Sequence, residues 1–344
     1  MNPSPLPAGA PVFLTGGTGL VGSHVATLLR SEGHPVRALH RANSVTGYLE
    51  GLECELVQGD LQDPVDELAR GMVGCSGIVH CAAVIYSGGP WAQVHAVNVE
   101  GSDTVFRAAA TAGIGRGVHL SSVAVYGGAF EGADEEFSLD RAPLHPREHY
   151  ARSKREAEAV VSRRARESGM AVSILRPSVL YGERDRLFIP TVVRVLDWPC
   201  QILLGSGRTP IPAVYAGNLA DAIVATLRSP LPEGARAFNL GGDHPLSQRH
   251  LYTELARVLG KRARLVPLPA ALVVSFARIG EAFGLRVPGA EELSLRRAAS
   301  LAVRPNPYRS TRLRAELGWT PPVSLATALE RTGRWVLEVS DATA

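Results

Sequence analysis

A glycine-rich octapeptide, TGGTGLVG at 15–22, constrains the fold more than any other stretch of the sequence. It follows a short apolar, β-branched run, PVFLT at 11–15, and opens an amphipathic stretch at 19–33. This order predicts a strand, a tight turn and a helix. Backbone amides in such a turn can approach a pyrophosphate, and the helix N-terminus supplies partial positive charge for it. Because the spacing is not G-x-G-x-x-G, a tight turn without a ligand stays open as the alternative.

Alternating strands and helices continue through the N-terminal half of the chain. The further predicted strands of the central sheet cover 35–40, 55–60, 77–83, 117–123, 171–177 and 237–242. This pattern predicts an α/β fold with a Rossmann-type, doubly wound parallel sheet. We place a dinucleotide-binding domain at 11–180, with a returning segment at about 213–242. A smaller, mostly helical substrate-binding lobe takes 181–212 and 243–338, and a ligand is expected in the cleft between the two.

Composition excludes several classes of protein. The 344 residues are 45% hydrophobic and 20% charged, and the net charge of +3 is scattered along the chain, which argues against a nucleic-acid partner. The four cysteines form no CxxC pair, and the histidines show no spacing typical of a metal site. An apolar run, LPAALVVSFARIG, is broken by Arg278 and is too short to span a membrane. We expect a cytoplasmic protein with no metal and no integral membrane segment.

A tyrosine and a lysine are spaced one helical turn apart in YARSK at 150–154. Side chains at i and i+4 share a helix face, so Tyr150 and Lys154 are predicted to point the same way. An ammonium beside a phenol favours the phenolate and would make the tyrosine a proton donor or acceptor near neutral pH. The pentapeptide alone favours the alternative of a surface tyrosine beside a surface lysine on a polar helix.

The end of the second predicted strand bears on the choice of cofactor. An NAD site usually has a carboxylate there to hold the ribose hydroxyls. Here the sequence reads VRALHRANS, with Arg37, His40 and Arg41 and no acid. Because guanidinium groups suit a ribose phosphate, these residues favour NADP over NAD. The alternative is that the arginines are simply exposed.

Taken together, the motifs resemble the extended short-chain dehydrogenase/reductase superfamily over nearly the whole chain. The markers are TGxxGxxG at 15–22, Asp60-Leu61, HCAA at 80–83, Asn98, SSVAVYG at 121–127, YARSK and RPSVLYG at 176–182. The resemblance implies that Tyr150 is the general acid/base, that Lys154 holds the nicotinamide ribose, and that Ser122 hydrogen-bonds the substrate oxygen. Ser121 competes for the serine role, since the two neighbours point opposite ways on a strand.

The same resemblance implies which residues contact the cofactor. They are Gly16, Thr18, Gly19, Leu20, Val21, Gly22, Asp60, Leu61, Ala82, Ala83, Asn98, Tyr150, Lys154, Pro177 and Val179. Two of them have a structural alternative: Asn98 could satisfy backbone groups from within a helix, and Pro177 lacks a backbone donor.

The C-terminal part resembles bacterial 3β-hydroxysteroid dehydrogenase-like proteins, through the segments at 267–284, 290–300 and 310–335. The VRALHR strand resembles the dihydroflavonol reductase-like branch. Both resemblances imply action on hydrophobic alcohols or ketones. Together with the preference for NADP, they predict an NADP(H)-dependent oxidoreductase that interconverts a secondary alcohol and a ketone on a largely apolar, steroid- or isoprenoid-like small molecule. A nucleotide-sugar epimerase or dehydratase with tightly bound NAD is the alternative, although Ile211, Pro212 and Ala213 stand where such enzymes carry a pyrophosphate-binding arginine and aspartate. A cofactor-binding regulator without catalysis is a third hypothesis. The resemblance also implies a homodimer through helices flanking the sheet.

Overall fold

The computed structural model describes residues 6–7, 9–85, 89–127, 133–285, 295, 299, 304 and 306–341. Its strands are β1 Val12–Thr15, β2 Val36–His40, β3 Glu55–Gln58, β4 Gly77–His80, β5 Arg116–Leu120, β6 Ala171–Pro177, β7 Val179–Tyr181, β8 Gln201–Leu204, β9 Ala213–Tyr215, β10 Gly234–Leu240 and β11 Leu265–Leu268. Most of the predicted helix at 290–300 lies outside the described residues.

The helices of the described part cover the sheet and build the second lobe. They are α1 Leu20–Ser31, α2 Gly47–Gly51, α3 Val65–Met72, α4 Trp91–His95, α5 Gly101–Thr111, α6 His149–Ser168, α7 Phe188–Leu196, α8 Ala216–Arg228, α9 Gln248–Val258, α10 Ala270–Ala282, α11 Thr311–Leu317 and α12 Leu325–Asp341. A π-helical turn, Ala96–Glu100, joins α4 to α5, and a 3₁₀ turn, Val123–Tyr126, follows β5.

Seven parallel strands form the central sheet in the order β10-β6-β5-β4-β1-β2-β3. The central strands β1 and β4 are buried throughout, as expected where helices cover both faces of a parallel sheet. The chain runs outward from β1 to β3 on one side and from β4 to β10 on the other. The strand order therefore reverses between β1 and β4, and a crevice outside the carboxyl ends of these strands is the expected ligand site.

Each face of the sheet has its own apolar core. On one face, Val25 and Leu29 of α1 pack with Leu219 and Ile223 of α8. On the other face, Phe13 of β1 lies in a cluster with side chains of α3, α5 and α6, among them Phe106. Burial of these side chains fixes the helices against the strands, and hence fixes the loops at the strand ends.

A separate apolar cluster holds the second lobe together. It joins Ile189 of α7, Leu203 of β8, Leu251 of α9 and Leu329 of α12. Two small parallel pairs, β7–β9 and β8–β11, lie outside the main sheet. Segment 213–242 returns to the first core through α8 and β10, whereas the domain boundaries themselves stay a prediction.

No helix within the described ranges is long and apolar enough to cross a membrane.

Candidate active site

The glycine-rich turn after β1 is closely packed against the end of β4. Gly16 has φ +70°, and a Cβ on it would lie 2.7 Å from the backbone nitrogen of Ala82. A Cβ on Gly22 would overlap the carbonyl group of Gly16. The amide of Gly19 donates to the Gly16 carbonyl at 3.0 Å, and α1 begins at the next residue with no acid in its first turn. Such a turn fits a pyrophosphate, because the chain comes close and the helix start keeps its partial positive charge.

The remaining residues of the octapeptide surround this turn. Thr18 is partly exposed within it, and Leu20 and Val21 begin α1. Ala82 and Ala83 follow β4, and the amide of Ala82 lies 3.3 Å from the hydroxyl of Thr15. The loops after β1 and β4 therefore meet at the point where the strand order reverses.

Lys154 is buried inside this edge of the sheet, with 3% of its surface exposed. It lies in the second turn of α6, and its Nζ donates to the carbonyl of Leu120, the last residue of β5, at 2.7 Å. Burial lowers the pKa of Lys154 to about 8, while the nearby Cys81 and Glu158 oppose that shift. The lysine is therefore still mainly protonated at neutral pH.

Tyr150 belongs to a small buried cluster that the Ser122 loop also contacts. Tyr150 packs with Ala124 and Ala151, and Lys154 Nζ is 5.9 Å from the centroid of its ring. The amide of Ala124 donates to Ser122 Oγ at 3.1 Å. The structure thus brings the predicted tyrosine and lysine together and places the Ser122 loop against them.

The two neighbouring serines have different surroundings. Ser121 is buried, and its hydroxyl donates to Glu158 Oε1 at 2.5 Å. Ser122 caps the Val123–Tyr126 turn, and within the described part of the chain its hydroxyl proton has no acceptor. These contacts favour Ser122 as the group available to a substrate oxygen.

Asn98 lies in the π-helical turn and binds protein rather than projecting outward. Its Oδ1 accepts from the amide of Val84 at 2.8 Å, and its Nδ2 donates to the Val84 carbonyl and to Ser153 Oγ at 3.0 and 2.9 Å. Ser153 in turn donates to the carbonyl of Tyr150 at 2.8 Å. Asn98 therefore ties the loop after β4 to the start of α6, which is the structural alternative raised for it.

Arg37 does not reach the proposed cofactor site, so this part of the sequence prediction needs correction. It pairs with Phe13 in the middle of the sheet, and its guanidinium donates to the carbonyls of Gly71 and Val73 and pairs with Glu55. These contacts hold it near the C-terminus of α3, because Arg37 is the second residue of β2 and lies toward the end of the strand opposite the ligand site. Arg41 is exposed beyond the strand end and forms no ion pair with the described residues.

Other predicted cofactor residues lie at the same strand ends. His40 ends β2, where its Nδ1 lies 3.1 Å from the carbonyl of Arg41. Asp60 follows β3, accepts from the amide of Gln62 at 3.0 Å and is partly exposed, whereas Leu61 is buried beside Gly101. Pro177 pairs with Leu240 in the sheet, and Val179 begins β7 with 43% of its surface exposed.

Sequence reasoning missed a buried ion pair next to this site, between Glu158 and Arg176. The signal was available, because Glu158 is four residues after Lys154 on the same helix face and Arg176 belongs to the RPSVLYG marker. Among the described residues there is no group of three or more His, Cys, Asp or Glu that could hold a metal ion.

Comparison with known proteins identifies the family. The model of the NAD dependent epimerase/dehydratase family matches residues 12–241. The chain belongs to this family. It is an NAD(P)-dependent enzyme of the extended short-chain dehydrogenase/reductase type, so the predicted family and fold class are confirmed.

Three similar proteins show the range of activities to which the chain is related. A 4-hydroxy-2-methyl-3-oxo-4-farnesyl-3,4-dihydroquinoline-1-oxide ketoreductase from Stigmatella aurantiaca is 29% identical, over 92% of this chain and 94% of its own. A 3 beta-hydroxysteroid dehydrogenase/Delta 5-->4-isomerase from Mycobacterium tuberculosis is 28% identical, over 92% and 88%. A dTDP-glucose 4,6-dehydratase from Streptomyces venezuelae, with NAD bound in its crystal structure, is 26% identical, with a TM-score of 0.70 over 96% and 98%.

Proposed function

We propose that this enzyme is an NADP(H)-dependent oxidoreductase that interconverts a secondary alcohol and a ketone on a largely apolar small molecule. The observation that carries the proposal is the arrangement of Tyr150, Lys154 and Ser122 at the carboxyl ends of β4 and β5, beside the glycine-rich turn. A buried ammonium, a phenol and the Ser122 hydroxyl, whose proton has no acceptor among the described residues, can together transfer one proton to or from a single substrate oxygen.

The residues around the turn fit a dinucleotide. Gly16, Gly19 and Gly22 would face the pyrophosphate, and Asp60 with Leu61 would lie at the adenine. Lys154 would hold the nicotinamide ribose. When bound, the nicotinamide would supply or accept the hydride, which is chemistry the protein side chains lack.

The protein's own groups handle the proton. In the reductive direction, the Tyr150 hydroxyl donates a proton to the carbonyl oxygen while the Ser122 hydroxyl hydrogen-bonds the same oxygen. The Lys154 ammonium stabilises the resulting phenolate, since it lies beside the ring in a site of low dielectric constant. The Leu120 carbonyl and α6 fix the position of this lysine, so little reorganisation is needed during the reaction.

An NADP preference rests on the loop after β2. That strand end has no acid to hold the ribose hydroxyls, and Arg41 is exposed there without an ion pair among the described residues. A guanidinium in this place suits a 2′-phosphate. Arg37 no longer supports the preference, because its guanidinium is bound elsewhere.

An apolar substrate is supported by the second lobe and by the relatives. Ile211, one of the three residues that stand where sugar-nucleotide enzymes carry an arginine and an aspartate, packs against the apolar cluster of that lobe. Helix α10 exposes Leu272, Phe276 and Ile279. The ketoreductase and the hydroxysteroid dehydrogenase are named for farnesyl-bearing and steroid compounds, whereas the dehydratase is named for a nucleotide sugar.

The test is nicotinamide absorbance over time, with NADP(H) and NAD(H) run side by side. Hydroxysteroids and long-chain ketones form one panel, and UDP- and dTDP-sugars form the other. Net cofactor turnover on an apolar alcohol or ketone, faster with NADP(H), is the expected result. Faster turnover with NAD(H) would overturn the cofactor choice alone. Conversion of a nucleotide sugar without net redox change would instead establish the epimerase or dehydratase alternative.

A further inference from the structure

A buried ion pair lies behind the loop that carries Ser122. Glu158, one turn after Lys154 on α6, accepts from Arg176 Nε and Nη2 at 2.9 and 2.6 Å. Each side chain has only 7% of its surface exposed. Because removing two charges from water costs about as much as their attraction returns, such a pair is weak evidence for a stabilising role alone.

The carboxylate of this pair holds the residue immediately before Ser122. Ser121 donates its hydroxyl proton to Glu158 Oε1 at 2.5 Å, and its amide donates to the carbonyl of Leu175 at 2.7 Å. Both contacts are buried, so water does not compete for them. They fix the end of β5 against α6 and β6.

The guanidinium of the pair holds the other end of the same loop. Arg176 Nη1 donates to the hydroxyl of Tyr126 at 2.8 Å, and Tyr126 is the last residue of the turn that Ser122 caps. That hydroxyl also lies 2.8 Å from Asn239 Oδ1, in β10, and from the carbonyl of Asp134. The segment from Ser121 to Tyr126 is thus held at both ends by the two members of one ion pair.

Glu158 also bears on the charge of Lys154. Burial lowers the pKa of that lysine, and the nearby Cys81 and the carboxylate of Glu158 oppose that shift. Burial, followed by the charge of Lys154, lowers the pKa values of His80 and His119, so both buried imidazoles are neutral at pH 7. Within this set, Glu158 is the side chain that is negatively charged at neutral pH.

We infer that Glu158 and Arg176 act as a positioning pair that sets the Ser122 loop and places a carboxylate one helical turn from Lys154. The inference rests on the proposed function. In this inference neither residue contacts the substrate. The pair affects the reaction through the positions of Ser122 and Tyr150 and through the position and charge of Lys154.

Kinetics of two variants test the positional part. Ser121→Ala removes the link to Glu158, and Tyr126→Phe removes the link to Arg176, while both leave the ion pair itself in place. Each is expected to lower kcat about tenfold or more, with KM and cofactor Kd within about threefold, because misplaced groups lose rate before they lose binding. The matched control is Arg164→Gln, also on α6, which breaks an ion pair with Asp103 of α5 and should keep wild-type kcat.

Titration of Lys154 tests the electrostatic part without any turnover. The sequence has only two lysines, Lys154 and Lys261. An NMR spectrum of the full chain labelled with [13C]lysine therefore contains two ε-carbon signals. The signal that is absent in Lys261→Arg belongs to Lys261. We expect Glu158→Gln to move the Lys154 midpoint down from about 8 by about half a pH unit or more. Lys261 pairs with Asp197 and is the internal control.

The two measurements separate this inference from the proposed function. If the wild type turns over no substrate, the proposed function fails, and the Lys154 midpoint in Glu158→Gln decides the inference. An unchanged midpoint, or wild-type kcat in both Ser121→Ala and Tyr126→Phe, would overturn it. If Glu158→Gln does not fold, the other two variants decide.

Discussion

Tyr150 is the residue on which turnover depends in the proposed reaction. Tyr150→Phe removes one hydroxyl and keeps the ring that packs against Ala124. We expect kcat to fall by about 10²–10⁴ while the NADP(H) Kd stays within about threefold, because the hydroxyl acts mainly in the transition state. Steady-state kinetics and fluorescence titration of the cofactor measure the two quantities.

A second tyrosine provides the control. Tyr252 is also buried, in the second lobe, where its hydroxyl accepts from Gln248 at 3.1 Å. Tyr252→Phe therefore removes a buried hydroxyl from a different apolar cluster than that of Tyr150, and its kcat should remain within about twofold of the wild type. If Tyr150→Phe behaved like this control, the proton-transfer role of Tyr150 would be wrong.

The positions of some site residues could be predicted from the sequence better than those of others. Helical spacing was sufficient for Tyr150 and Lys154, because i and i+4 residues share a face wherever the helix lies. It was not sufficient for Arg37, whose partners are backbone carbonyls about 35 positions further along the chain. Nor could spacing show that Ser121 binds Glu158, since that contact depends on how α6 packs on β5.

Among the elements, the turn between β1 and α1 has the least tolerance for added atoms. Gly22→Ala places a methyl group against the carbonyl of Gly16, and backbone cannot move aside as a side chain can. We expect the apoprotein to lose about 1–3 kcal/mol of unfolding free energy, and the cofactor Kd to rise at least about tenfold. Urea unfolding and cofactor titration measure these effects.

Gly51→Ala is the matched control, because a Cβ on Gly51 meets no atom within 4 Å. It lies at the end of α2, where alanine is tolerated better than in the turn. Cofactor binding should be unchanged. Wild-type affinity and stability in Gly22→Ala would contradict the close packing of the turn.

Most elements of the first domain were predictable because their sequence patterns are local. The strands at 35–40, 55–60 and 171–177 lie within one or two residues of β2, β3 and β6. The π-helical turn at Ala96–Glu100 was not, since it places Asn98 against the backbone of Val84, a contact between segments. A parallel sheet specifies which strand ends meet, but not which side chains there bind each other.

Buried histidines make the stability of the whole molecule depend on pH. Burial lowers the pKa of His24 to about 4 and that of His80 to about 3, and the pKa of His119 lies well below its usual value. In the unfolded chain these groups titrate near 6.5. Below pH 6.5 the unfolded state therefore binds more protons than the folded state. As a result, the contribution of these histidines to the free energy of unfolding is complete above that pH and declines below it.

His119 allows this linkage to be tested. Its two ring nitrogens have no hydrogen-bond partner among the residues that the structure describes, and its ring stacks on His80 with centroids 5.5 Å apart. His119→Leu fills a similar volume without a titrating group, so stability at pH 7.5 should be equal or higher. Between pH 6 and 5, His119→Leu should lose less unfolding free energy than the wild type. The difference should be up to about 1.4 kcal/mol per pH unit, which is the contribution of one proton bound only in the unfolded state.

The control is His250→Gln, which changes an exposed histidine on α9 and should leave the slope of unfolding free energy against pH as in the wild type. Urea unfolding at each pH gives these slopes. An unchanged slope in His119→Leu would mean that the folded protein protonates His119 as readily as the unfolded chain does.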